Sequence, residues 1–132
     1  MNYLLQFGSF AAIFLAIDFV WLSLVAKNFY RKELGPLMLA NPNFVAAGIF
    51  YVIFTVAAVM FVIQPAVEKG SWQHALGYGA LFGLVTYATY DLTNLATLKG
   101  FSPKLVVVDL IWGTSVTAVT SILCYLAVQR LS

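Results

Sequence analysis

Three aspartates carry most of the chemical potential of this chain. Asp18, Asp91 and Asp109 each stand inside a long apolar stretch. A carboxylate near the middle of a bilayer costs about 2.5–3.5 kcal/mol on insertion scales, so such residues face a protein interior or a water-filled cavity. Tyr87, Asp91 and Asn94 recur at i, i+4 and i+7, one stripe of a helix, with Thr86, Tyr90, Thr93 and Thr97 beside it. Asp18-Phe-Val-Trp21 and Asp109-Leu-Ile-Trp112 share an Asp-x-x-Trp spacing that puts acid and indole on one helix face. Carboxylates accept hydrogen bonds, while hydroxyl, amide and indole groups donate them, so the set can satisfy itself.

Counting along the chain places these acids at one depth. Asp18 lies nine residues before Lys27, about 13 Å at helical rise. Asp91 lies eight before Lys99, about 12 Å, and Asp109 five after Lys104, about 7 Å. All three fall in the half nearest the basic connections. We therefore expect one polar intramembrane site built from Asp18, Trp21, Tyr87, Asp91, Asn94, Asp109 and Trp112.

Four roles compete for such a site. Protonation or cation binding would neutralise it, with Asn94 and the threonine hydroxyls adding oxygen ligands suited to hard cations. An apolar cleft beside the acids would suit a lipid ligand. Two aspartates on adjacent helices could share a proton and activate water, as in aspartyl hydrolases. The Gly-x-Gly-Asp element of the intramembrane peptidases is missing, however, because Val106-Val107-Val108 precedes Asp109. The fourth role is structural: polar residues that glue helices together in lipid. No nucleophile motif, phosphate-binding glycine loop, CxxC or His-rich motif is present. No cofactor and no particular metal follows from the pattern. His74, beside Trp72, reads as an interfacial residue, and Cys124 as a small buried hydrophobe that leaves no internal disulfide.

The elements that must position these groups follow from composition. Of 132 residues, 62% are hydrophobic and 9% charged, against about 45–50% and about 25% in soluble domains. One small core cannot hide that surplus, so the surrounding solvent must be lipid. The net charge of +2 gives no electrostatic reason for a nucleic-acid partner. Four runs reach the roughly 20 residues that a spanning helix needs: about Tyr3–Ala26, Phe44–Ile63, Ala75–Leu98 and Leu105–Val128. The expected fold is all-α, an integral membrane four-helix bundle of up-and-down topology in one domain. The first run is too long for a secretory signal and holds Asp18, so it is expected to be retained.

Punctuation between the runs is consistent. Lys27–Glu33 extends the first helix, and Gly35-Pro36 ends it. Asn41-Pro42 reads as an N-cap with proline at the first helical position. Gln64-Pro65 is expected to close the second span, Ser71 to cap the third, and Lys99–Pro103 to form a tight turn. Lys27, Arg31, Lys32, Lys99 and Lys104 occupy one side, Lys69 and Arg130 the other. The positive-inside rule then puts both termini outside the cytoplasm. Gly79-Ala-Leu-Phe-Gly83 is a GxxxG, and Gly113-Thr-Ser-Val-Thr117 a looser version. Both suggest close helix contacts, within the chain or in a homodimer.

Three strings, VAKNFYRKELG (Val25–Gly35), YATYDLTNLATLKG (Tyr87–Gly100) and VVDLIWGT (Val107–Thr114), resemble a bacterial family of predicted membrane proteins known as domain of unknown function 2177. The resemblance spans essentially the whole chain. It implies a four-span inner-membrane protein and brings no established activity or catalytic residues. The expected partners are the lipid bilayer, a second copy, and a small cation or lipid ligand.

Overall fold

The computed structural model describes residues 2–38 and 43–131. They are all-helical. Helix α1 (Tyr3–Val20) starts where the Asn2 side chain accepts a hydrogen bond from the Leu5 amide at 2.9 Å. It runs through a π-helical turn, Trp21–Ala26, into the polar helix α2 (Lys27–Leu34). Gly35 then turns the chain at φ +53°, a conformation that glycine adopts without a Cβ penalty, and Pro36 follows in a short 3₁₀ turn.

Helix α3 (Phe44–Ala58) is capped by Asn43, whose side chain accepts from the Ala46 amide at 3.1 Å. The Asn41-Pro42 pair read as this cap lies outside the described residues. The helix does not end at Gln64-Pro65. A second π-helical segment, Val59–Ile63, leads directly into α4 (Gln64–Lys69). Proline cannot donate to the carbonyl four residues back and its ring collides with it. A widened turn just before Pro65 takes up that defect, so the helix runs on instead of stopping. Gly70, left-handed at φ +61° and ψ 38°, makes the real stop.

Ser71 caps α5 (Trp72–Thr97) by accepting from the His74 amide at 3.0 Å. After a turn with Gly100 at φ +73°, α6 (Pro103–Leu131) begins on a proline, and the Ser102 hydroxyl accepts from the Leu105 amide at 3.1 Å.

Among the described residues, three helical stretches are long and apolar enough to cross a membrane: Tyr3–Leu24, Phe44–Lys69 and Pro103–Leu131. The α5 stretch falls outside that set because hydroxyl, amide and acid groups interrupt it. Its threonine hydroxyls are satisfied within the helix. Thr86 donates to the Phe82 carbonyl at 2.8 Å, Thr89 to Val85 at 2.7 Å and Thr97 to Thr93 at 2.8 Å, while Thr93 donates to Thr89.

The helices pack through aromatic and small residues. Phe10, Phe14 and Phe54 form a ring cluster with centroids 5.0–6.0 Å apart, joined by Val59, Val62, Ile63, Val116, Cys124 and Val128. At the α2 end, Phe101, Leu105 and Val106 pack against Phe29, Tyr30 and Leu34. Lipid gives no hydrophobic drive between helices, so close packing and buried hydrogen bonds must hold them.

Candidate functional site

The site rests on how α5 meets α6. A Cβ added to Gly79 would meet the Ser121 side chain, and one on Gly83 would overlap the Gly113 carbonyl and the Thr117 side chain. One on Gly113 would overlap the root of the Tyr87 ring. Facing residues therefore step by four on each helix: Gly79 with Ser121, Gly83 with Thr117, and Tyr87 across Gly113. The next step brings Asp91 against Asp109, whose carboxyls lie within hydrogen-bond reach of each other. Gly79, Gly83 and Gly113 are thus occupied by contacts inside the chain.

Asp91 is 0% exposed. Neither of its oxygens receives a hydrogen bond from a conventional donor among the described residues. Two carboxyls can bond to each other only when one keeps its proton, because a carboxylate only accepts. Asp109 is better served: its Oδ1 accepts from the Tyr30 hydroxyl at 2.6 Å. The Tyr30 oxygen in turn accepts from Trp21 Nε1 at 3.4 Å. Burial first, then the bond to Asp109 and its charge, hold the Tyr30 phenol well above its ordinary pKa, so it remains a donor.

Asp18 sits in a second, adjoining cradle. Its Oδ2 accepts from the Tyr51 hydroxyl at 2.6 Å and its Oδ1 from Trp112 Nε1 at 3.3 Å. The two indoles of the Asp-x-x-Trp pairs stack, with ring centroids 4.2 Å apart and planes 9° apart. Tyr87 lies between the cradles, within electrostatic reach of Asp18, Asp109, Tyr51 and Tyr30. The three acids therefore do not form one ligand set. Two touch, and the third is joined to them through aromatic side chains. No group of three His, Cys, Asp or Glu side chains among the described residues is placed to hold a metal ion. Asn94 lies within hydrogen-bond reach of the Tyr90 hydroxyl.

Two participants escape a reading of the sequence alone. Tyr30 stands there in the polar extension Lys27–Glu33, outside the apolar runs. In an uninterrupted helix it would stand about 120° around from Asp18. The extra residue taken up by the π-helical turn reduces this to about 20° and swings Tyr30 onto the acid face. Tyr51 sits in an apolar run, Phe50 to Phe54, whose only signal is its hydroxyl.

A cleft of about 340 Å³ opens beside the acid pair, lined by Phe50, Thr86, Tyr87, Tyr90 and Asp109. A separate polar cluster lies toward the other end of α1, where Gln6 Nε2 donates to Gln64 Oε1 at 2.6 Å and Gln64 Nε2 to Glu68 at 2.9 Å. His74 stacks on Tyr78 near the start of α5, with centroids 4.2 Å apart, away from the acids.

No curated protein and no solved structure matches the chain. Residues 3–126 match the model of a family described as predicted membrane protein, and the chain belongs to that family, domain of unknown function 2177.

Proposed function

We propose that this protein is a four-span, up-and-down bundle of the bacterial inner membrane that binds and exchanges a proton at the Asp91–Asp109 pair, alone or coupled to a small polar solute. The supporting observation is the pair itself: two carboxyls from α5 and α6, side by side, one of them sealed from solvent. At about 4 Å and an effective dielectric constant of about 20, two full charges repel by about 4 kcal/mol. A site that gains and loses one proton avoids that repulsion and changes its charge by one.

The fourth span is α5. Its 26 residues reach about 39 Å at helical rise, beyond the roughly 30 Å of hydrocarbon. Its threonine hydroxyls make no demand on lipid, and Leu81, Val85 and Leu92 are exposed along it. With four spans, the basic residues near the two sides place both termini outside the cytoplasm.

The glycine packing of α5 on α6 favours a structural role for the same residues as the second reading. Hydrolysis has less support, because the Gly-x-Gly-Asp element of the intramembrane aspartyl peptidases is missing before Asp109.

Infrared titration of the purified protein tests the proposal. A protonated-carboxyl stretch should disappear as pH rises, and Asp91→Asn should remove it. Liposomes carrying the wild type should show proton flux that the same variant loses. Absence of a titrating carboxyl band in folded wild-type protein would reject the reading.

A further inference from the structure

We propose that the cleft beside Asp109 binds a lipophilic organic monocation, which takes the place of the proton held by the acid pair. The inference rests on the proton-exchange reading above and goes beyond it by naming the ligand class.

Three observations carry it. The first is charge. Asp109 lines the cleft, Asp91 lies against it, and both Asp91 oxygens lack a conventional donor while fully buried. Among the described residues, no basic side chain lines the cleft. With one proton on the pair the site bears one negative charge, and without it two, so a positive guest is the complementary one.

The second is the wall. Phe50, Tyr87 and Tyr90 surround the opening. Aromatic faces attract cations through their quadrupoles and suit quaternary ammonium groups in particular. A bare metal ion would need more oxygen ligands than the cleft presents among the described residues, and the Thr86 hydroxyl at its wall commits its proton to the Phe82 carbonyl. A plain acyl chain would fit the rings and leave the charge of the pair uncompensated.

The third is size and access. About 340 Å³ falls within the range of small-molecule sites. Phe50 and Tyr90 are exposed on the outer surface of α3 and α5, so a guest dissolved in the membrane can enter from the side.

Binding then consists of one cation entering as one proton leaves the pair to water, with no covalent bond made or broken.

The experiment uses the full chain in detergent, with benzyltrimethylammonium as the probe and calorimetry in two buffers of different protonation enthalpy. We expect saturable one-to-one binding, release of about one proton per cation, and affinity that rises with pH by up to tenfold per unit while the pair is protonated. Asp109→Asn should abolish binding. Phe50→Leu, which keeps the charge and removes one ring, should weaken it about 2- to 30-fold. Absence of saturable binding to the wild type at high pH would overturn the inference, as would equal binding by Asp109→Asn. So would a copurifying lipid that occupies the cleft and that the cation fails to displace. If the infrared carboxyl band titrates while the probe does not bind, this inference falls and the proton reading stands. If the band never titrates, both fall.

Discussion

Substituting alanine at three glycines tests the register on which the acid pair depends. At Gly77 a new methyl group meets nothing within 4 Å. Removing glycine from a helix interior then gains about 0.5–1 kcal/mol. At Gly83 the same methyl overlaps a backbone oxygen, that of Gly113, and lies 2.7 Å from Thr117 Cβ. Backbone cannot rotate away, so α5 must back off α6 by about 1 Å to restore ordinary contact. Overpacking of this kind costs about 1–3 kcal/mol. At Gly113 the overlap is with the base of the Tyr87 ring and not its tip, so the whole side chain must swing out of the site. All three glycines are helix-interior, so the propensity gain is common to them, and the gap between Gly77→Ala and either of the other variants should be the overpacking cost itself, about 1–3 kcal/mol. Reversible unfolding in mixed micelles, followed by circular dichroism, reads this difference. The Gly83→Ala protein should also lose the carboxyl contact two helical turns away, visible as a shifted infrared band. Should Gly83→Ala and Gly113→Ala match Gly77→Ala in stability, α5 and α6 do not meet in this register, and the pairing of Asp91 with Asp109 goes with it.

Further outcomes follow from the surrounding contacts. Tyr51→Phe removes a hydroxyl donor to Asp18 and should cost about 1–3 kcal/mol in the same unfolding assay, because a buried acceptor loses its donor; an unchanged midpoint would show that Asp18 is solvated. Cys124 is 0% exposed, so a maleimide should label it only as the protein unfolds, and rapid labelling of the native form would contradict the α1–α6 packing around it. In a Cys124→Ser background, a membrane-impermeant thiol reagent applied to whole cells should reach a cysteine placed at Ser71 and spare one placed at Lys99; the reverse pattern would invert the topology.

How far the arrangement can be read from sequence differs from residue to residue. Asp91 and Asp109 each lie nine positions from Gly100. A tight turn there makes them face one another across an antiparallel pair, and the small residues at 79, 83 and 113 repeat the same step of four. That part needs only counting. The position of Asp18 needs more, since depth alone says nothing about direction around the axis. Its hydrogen bonds to Tyr51 and Trp112 keep it one aromatic layer from the pair. The role of Tyr30 depends on the π-helical turn at Trp21–Ala26, a departure in register that hydrophobic periodicity does not mark. The other π-helical segment, Val59–Ile63, hides a different feature. It lets the helix pass Pro65, so Gln64 lies buried against Gln6 and Glu68 instead of ending a span.

Whether the acid pair serves function or only packing can be decided by Asp91→Asn, because the two roles predict opposite results. Asparagine has nearly the shape of aspartate, and its amide nitrogen can donate to Asp109 with no borrowed proton. If the pair merely ties α5 to α6, the variant keeps that tie. It also removes the repulsion between two acids, so stability should hold or rise and cellular function should survive. If the pair exchanges a proton, stability should again hold to within about 1 kcal/mol, but charge can no longer change at the site. Proton release on cation binding, the titrating infrared band and flux in liposomes should all vanish together. Apolar replacement would confuse the two cases, since it would leave the Asp109 carboxylate without its neighbouring carboxyl, with Tyr30 as its one hydrogen-bond donor among the described residues. The amide variant avoids that. A folded Asp91→Asn protein that still moves protons at the wild-type rate would leave the pair as a packing contact with no part in proton movement.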